Sequence, residues 1–148
     1  MDITLKPSAI FAFLKTLPLL LLSMVLLYMA NRLWAELIWL SLIVMLFALY
    51  RFIYIRRCSY IVTEQYIRIT RGIFFKRIDT VELFRVKDYT VTEPFILQIF
   101  KLMDLMLKTT DPENPILWLR GIPQSGIIDT IRERVLESRQ YNHIYEIN

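Results

Sequence analysis

The residues able to do chemistry are few and scattered. The single histidine, His143, stands in the C-terminal tail with no second imidazole to share a metal. The single cysteine, Cys58, excludes an internal disulfide and any multi-thiolate zinc site within one chain. A hydrolytic nucleophile needs a base within hydrogen-bond reach, and the one imidazole lies in that tail. Asp79, Glu82, Asp88 and Asp104 could pair as carboxylates for acid–base work, yet basic neighbours along strand-like segments explain them more simply. Glycine stands only at positions 72, 121 and 126, so no glycine-rich loop cradles a phosphate. The sequence therefore predicts no catalytic residue, no cofactor, no metal and no small-molecule substrate.

What remains is charge and hydrocarbon. Arg68, Arg71, Lys76, Arg77, Arg85 and Lys87 crowd one stretch against Asp79 and Glu82. Beside Arg56 and Arg57, such cations attract anionic headgroups at about 1 kcal/mol each when positioned at a membrane surface. Arg56, Arg57, Lys76 and Arg77 are accordingly the candidate headgroup contacts. Phe95, Ile96, Leu97, Ile99 and Phe100 form an apolar cluster larger than a turn needs, able to plug a core, insert into lipid or dock a partner. Phe95, Ile96, Ile99 and Phe100 are the candidate partner surface, and a free sheet edge could accept a partner strand.

The formal charge of +4 over 148 residues invites a nucleic-acid reading. Its distribution argues otherwise. Residues 1 to 57 hold Lys6, Lys15, Arg32, Arg51, Arg56 and Arg57 against Asp2 and Glu36, which is the whole excess; the rest of the chain is neutral and lacks an aromatic nucleic-acid motif. The apolar share of 55% is likewise concentrated at the front, where Ala9 to Ala30 and Trp34 to Ile55 run almost unbroken apart from Asn31-Arg32. Each run meets the roughly 20 residues that a spanning helix needs, so residues 1–57 read as a transmembrane hairpin with spans about 9–30 and 34–55. Lys15 and Arg51 lie near enough to the ends to snorkel, and Trp34, Trp39, Tyr28, Tyr50 and Tyr54 suit headgroup depth. No small-residue cleavage pattern follows the first run, which argues against a signal peptide. Two basic residues before the hairpin and three at its exit, against Arg32 in the turn, place both termini in the cytoplasm. Cys58 beside the exit reads as an inert, partly buried thiol, with reversible acylation the alternative.

From Ser59 the periodicity changes to two. Tyr60–Val62, Tyr66–Arg71, Ile73–Ile78, Thr80–Phe84 and Arg85–Thr92 read as an antiparallel meander, with Gly72 in a tight turn. Residues 95 to 101 read as a short helical turn or packed loop. Met103–Thr109 and Ile116–Arg120 flank the turn Asp111-Pro112-Glu113-Asn114-Pro115 as a hairpin. Gly121-Ile122-Pro123 ends it, and Ser125 can cap a helix with Ile127, Ile128, Ile131 and Val135 on one face.

Tyr60-Ile61-Val62-Thr63-Glu64-Gln65, then Ile67, the Gly72 turn, Arg77, Leu83 to Tyr89 and Gly121-Ile122-Pro123 before the helix resemble the bacterial pleckstrin-homology-like, membrane-flanked domain family, over about residues 56 to 140. Two positions depart from it: Gln65 stands where relatives usually have arginine, and Lys101-Leu102-Met103 lacks a common glycine. The resemblance implies a membrane-anchored α+β protein, its two-helix hairpin followed by a mainly antiparallel, partly open, seven-stranded PH-like β-barrel capped by a C-terminal amphipathic helix. The expected organisation is a hairpin at 1–57, a PH-like domain at 58–140 and a tail at 141–148. The expected function is a non-enzymatic bacterial inner-membrane protein, multi-pass, presenting a cytoplasmic domain as adaptor or subunit of a membrane assembly. Its partners would be the bilayer and a membrane protein or a second copy. The alternative is a sensor that binds anionic lipid headgroups through the basic residues of the early strands.

Overall fold

Helix α1 (Ala9–Arg32) and helix α2 (Leu37–Arg57) carry most of the hydrocarbon in the computed structural model, which describes residues 2–141. At about 1.5 Å per residue they are roughly 36 and 32 Å long, enough to cross a hydrocarbon core of about 30 Å. Their outer faces are bare, with Trp34 75% and Met24 67% exposed, where a core helix of a water-soluble fold would be mostly buried. They meet along small residues. Thr16, Ser23 and Ala30 recur at intervals of seven on α1, as do Ser41 and Ala48 on α2, and all five are buried. Small side chains let helix backbones approach, and the Ser41 hydroxyl uses that closeness to donate to the Ser23 carbonyl at 2.8 Å. The second helix starts later than the sequence suggests. Trp34, Ala35 and Glu36 form a turn whose carbonyls accept from Leu37, Ile38 and Trp39.

A strand precedes the hairpin, and the sequence pattern does not announce it. Strand β1 (Ile3–Leu5) pairs antiparallel with β2 (Ser59–Val62), Leu5 opposite Tyr60 and Ile3 opposite Val62. The helical hairpin is thus inserted between two neighbouring strands of one sheet. Strands β3 (Tyr66–Arg71) and β4 (Arg77–Glu82) complete that sheet in the order β1-β2-β3-β4. Ile67 and Ile69 face the core from β3, with Tyr60 and Val62 beside them on β2. Residues 73 to 76, expected as strand, instead belong to a five-residue turn, because Gly72 takes φ 110° and folds so tightly that a Cβ there would strike the Phe75 carbonyl.

A single 3-10 turn, Leu83–Arg85, replaces the expected end of a strand and carries the chain to a second sheet. That sheet has the order β5-β6-β7, from β5 (Val86–Thr92), β6 (Leu102–Thr109) and β7 (Ile116–Pro123), and helix α3 (Phe95–Ile99) joins the first two. The seven strands therefore form two antiparallel sheets and not a closed barrel. Leu83, Leu105, Leu107, Leu117, Leu119 and Ile122 fill the space between them. Helix α4 (Ile127–Tyr141) lies across the opening and buries Ile127 and Ile131, with Ile128 and Val135 partly covered, on the face expected. Arg134 donates to the Val62 carbonyl of the first sheet at 2.7 Å and Arg139 to the Val86 carbonyl of the second at 2.6 Å, so the helix ties both sheets.

Candidate functional site

Strand register determines which end of the domain faces the hairpin. Strand β2 leaves α2 at Ser59, which pairs with Thr70, so β3 runs back toward the helices and the 72–76 turn projects beside the α2 exit. In the second sheet, Leu102 pairs with Pro123, and Gly121 accepts a hydrogen bond from the Ser8 N–H at 2.9 Å. Helix α3 therefore lies at the same end. Its Leu97 packs with Phe11 and Leu102 in a small second core, flanked by Leu14 of α1 and Ile55 of α2. The turn at 63–65 falls at the far end.

Two exposed apolar groups crown this near end. Phe74 and Phe75, in the tight turn, are 83% and 94% exposed. Phe95, Ile96, Ile99 and Phe100 are exposed as well, while Leu97 alone of that cluster turns inward. Sequence reasoning missed Phe74 and Phe75 by assigning them to a strand. The signal was available, since three consecutive apolar residues directly after a turn glycine break the period-two pattern.

The basic residues divide by circumstance. Arg57 and Lys76 are exposed and form no ion pair among the described residues. Arg77 is held by Asp79 at 2.8 Å, and one arm of Arg56 donates to the Pro7 carbonyl at 3.0 Å, closing the base of the hairpin. Arg85 is bound to Glu82 at 2.9 Å and lies 3.9 Å from Asp111. The four carboxylates that might have paired are each occupied otherwise: Asp79 and Glu82 hold these arginines, Asp88 accepts from the Tyr89 N–H and Asp104 from the Gly121 N–H. Among the described residues no cluster could hold a metal ion, and His143 lies outside them.

The junction itself is tightly fitted. Gly121, at φ 64°, sits against the Phe11 ring so closely that a Cβ would overlap it, and Asp104 fixes the Gly121 N–H at 2.7 Å. Cys58, the cap of α2, is buried there, and burial raises its thiol above the usual range while the nearby Arg71 charge opposes the rise. Tyr60 is raised by burial too, against the lowering effect of the Arg120 N–H that it accepts at 3.2 Å.

Two antiparallel sheets closed by a C-terminal helix define a domain of pleckstrin-homology type. The chain belongs to the bacterial PH domain family, which it matches over residues 7–137. That match takes in both apolar helices and strands β2 to β7. No curated protein and no solved structure matches the chain.

Proposed function

We propose that this chain is a bacterial inner-membrane protein with two spans, whose PH-like domain is seated on the cytoplasmic face and recognises the anionic lipid surface beneath it. The observation that carries this reading is the convergence, at the end of the domain where both spans enter, of Phe74 and Phe75, the exposed side of α3, and the unpaired Arg57 and Lys76. Aromatic and aliphatic side chains beside cations suit the boundary between acyl chains and headgroups. On this reading Phe95, Ile96, Ile99 and Phe100 face lipid rather than a protein partner. The far end, with the exposed Gln65, faces the cytoplasm. On this reading the domain acts by binding and not by catalysis.

Nitroxide side chains test the seating. With Cys58→Ser as background, Phe75→Cys and Ile96→Cys are labelled in the full chain in anionic bilayers and compared with Gln65→Cys. Greater collision with oxygen than with an aqueous nickel chelate at positions 75 and 96, and the reverse at 65, supports the proposal. Aqueous behaviour at all three refutes it.

The adaptor reading is supported by a different feature, the unpaired edge of β4, where Ile78 is 58% exposed. It expects a membrane protein to copurify in mild detergent and to be lost on Ile78→Lys.

A further inference from the structure

A cavity of about 500 Å³ lies where the hairpin meets the sheets, within the range that holds small ligands. Four cations from four elements line it: Lys15 of α1, Arg51 of α2, Arg71 at the end of β3 and Arg120 of β7. No carboxylate lines it, and none of the four forms an ion pair among the described residues. Lys15 is six residues in from the start of α1 and Arg51 six residues before the end of α2, so both sit about 9 Å along their helices, on one level.

Two of the cations rest on aromatic rings. Lys15 Nζ lies 5.5 Å from the centre of the Phe11 ring, and the Arg120 guanidinium 4.9 Å from that of Trp118. Tyr60, 4% exposed, lines the same cavity; its hydroxyl accepts from the Arg120 N–H and has no acceptor for its own proton among the described residues. Four like charges and a free hydroxyl facing one space at a membrane boundary lack only an anion. A single phosphodiester would leave most of the charge uncompensated. Phe47, one turn deeper than Arg51 and exposed, extends the wall toward the hydrocarbon, so the anion's companion is an acyl tail.

We infer that this cavity binds one lipid whose headgroup bears two phosphates, the phosphate oxygens spanning Lys15, Arg51, Arg71 and Arg120, with a tail passing along Phe47. The inference rests on the membrane seating proposed above and gives it a specific ligand class. The site is distinct from Lys76 and Arg77, which face the bilayer surface generally.

Native mass spectrometry of the full chain in detergent, titrated with diphosphatidylglycerol, phosphatidylglycerol or inorganic pyrophosphate, tests it. The expected result is one diphosphatidylglycerol per chain, bound at least tenfold more tightly than phosphatidylglycerol. Arg71→Gln with Arg120→Gln should weaken it tenfold or more, and Lys76→Gln with Arg77→Gln less than twofold. Should the first pair unfold the domain, judged by exposure of Cys58, Arg51→Gln on the hairpin serves in its place with the same expectation. Equal affinity for the two lipids, or indifference to the cavity variants, overturns the site. Pyrophosphate binding as tightly as the lipid overturns the role of the tail. Lipid-embedded nitroxides at positions 75 and 96 together with an empty cavity would defeat this inference alone; aqueous nitroxides would defeat the seating itself.

Discussion

Replacing Gly121 by alanine should loosen the hairpin from the domain. Two separate costs follow from its position. An L-residue at φ 64° stands in the left-handed region, at about 1–2 kcal/mol. The new methyl also overlaps the Phe11 ring, which is 3% exposed and confined by Leu97 and Leu102, and forcing such a core apart costs about 1–3 kcal/mol. Together these give about 2–5 kcal/mol, which in a domain of this size lowers Tm by about 10 °C or more. Cys58 provides the assay, since the only cysteine is buried at this junction and a thiol-reactive fluorophore reports its exposure on heating. Gly126→Ala is the control, with open space where its Cβ would lie, and should stay within about 0.5 kcal/mol. Phe11→Ala separates the two costs. It removes the ring that the methyl strikes but leaves the backbone strain, so the double variant should lose less than the sum of the singles, by about 1–3 kcal/mol. If Gly121→Ala melts no earlier than Gly126→Ala, or if its effect adds in full to that of Phe11→Ala, the packing argument is wrong.

Three further outcomes are expected. Lys101 occupies φ 52° directly after α3, so Lys101→Gly should stabilise the chain by about 1 kcal/mol and Lys101→Val should destabilise it, read in the same melting assay. Ser41→Ala removes the hydrogen bond to the Ser23 carbonyl and should weaken hairpin association by about 0.5–1 kcal/mol, measured by denaturation in mixed micelles. The Cys58 thiol and the Tyr60 phenol both have folded pKa values raised by burial. Each therefore contributes stability that is complete below its unfolded pKa and is lost as pH rises through the folded value. Melting temperatures should be flat at neutral pH and fall above about pH 9, and Cys58→Ser should remove the earlier part of that fall.

What could be read from the sequence was whatever depends on neighbours along the chain. The alternation of Ile67 and Ile69 with Arg68 and Thr70 gave β3, the Asp111 to Pro115 turn gave the β6–β7 hairpin, and the spacing of Ile127, Ile131 and Val135 gave the buried side of α4. Strand β1 escaped because three residues carry no period and their partners lie beyond both helices, at Tyr60 to Val62. The turn after Gly72 escaped for another reason: Phe74 and Phe75 have the residue types of a strand core, and it is the φ of 110° at Gly72, folding the chain back on the Phe75 carbonyl, that leaves them exposed. The absent glycine before β6 is explained by geometry, since Lys101 itself takes the left-handed conformation that a glycine would adopt freely. The cavity was invisible for the same reason as β1, because its four cations lie on four separate elements.

Insertion of the hairpin between β1 and β2 also bears on orientation. Paired antiparallel residues such as Leu5 and Tyr60 have Cα atoms about 5 Å apart, so the start of α1 and the end of α2 must open onto the same side of any membrane they cross. Charge bias along the chain reaches the same arrangement by an independent route, but the sheet enforces it without reference to charge. Severing the chain after α1 would strand β1, remove Phe11 from Gly121 and expose the edge of β2 along Tyr60 to Val62. Removing α1 together with β1 would open both the small core around Leu97 and the wall of the cavity that carries Lys15. The first helix is thereby a structural part of the domain, and any arrangement that sends α1 and α2 out on opposite sides must first break the β1–β2 ladder. Moving basic residues into the Arg32 turn should consequently yield chains that keep both ends on one side with Cys58 protected, and folded chains with their ends on opposite sides would refute the constraint.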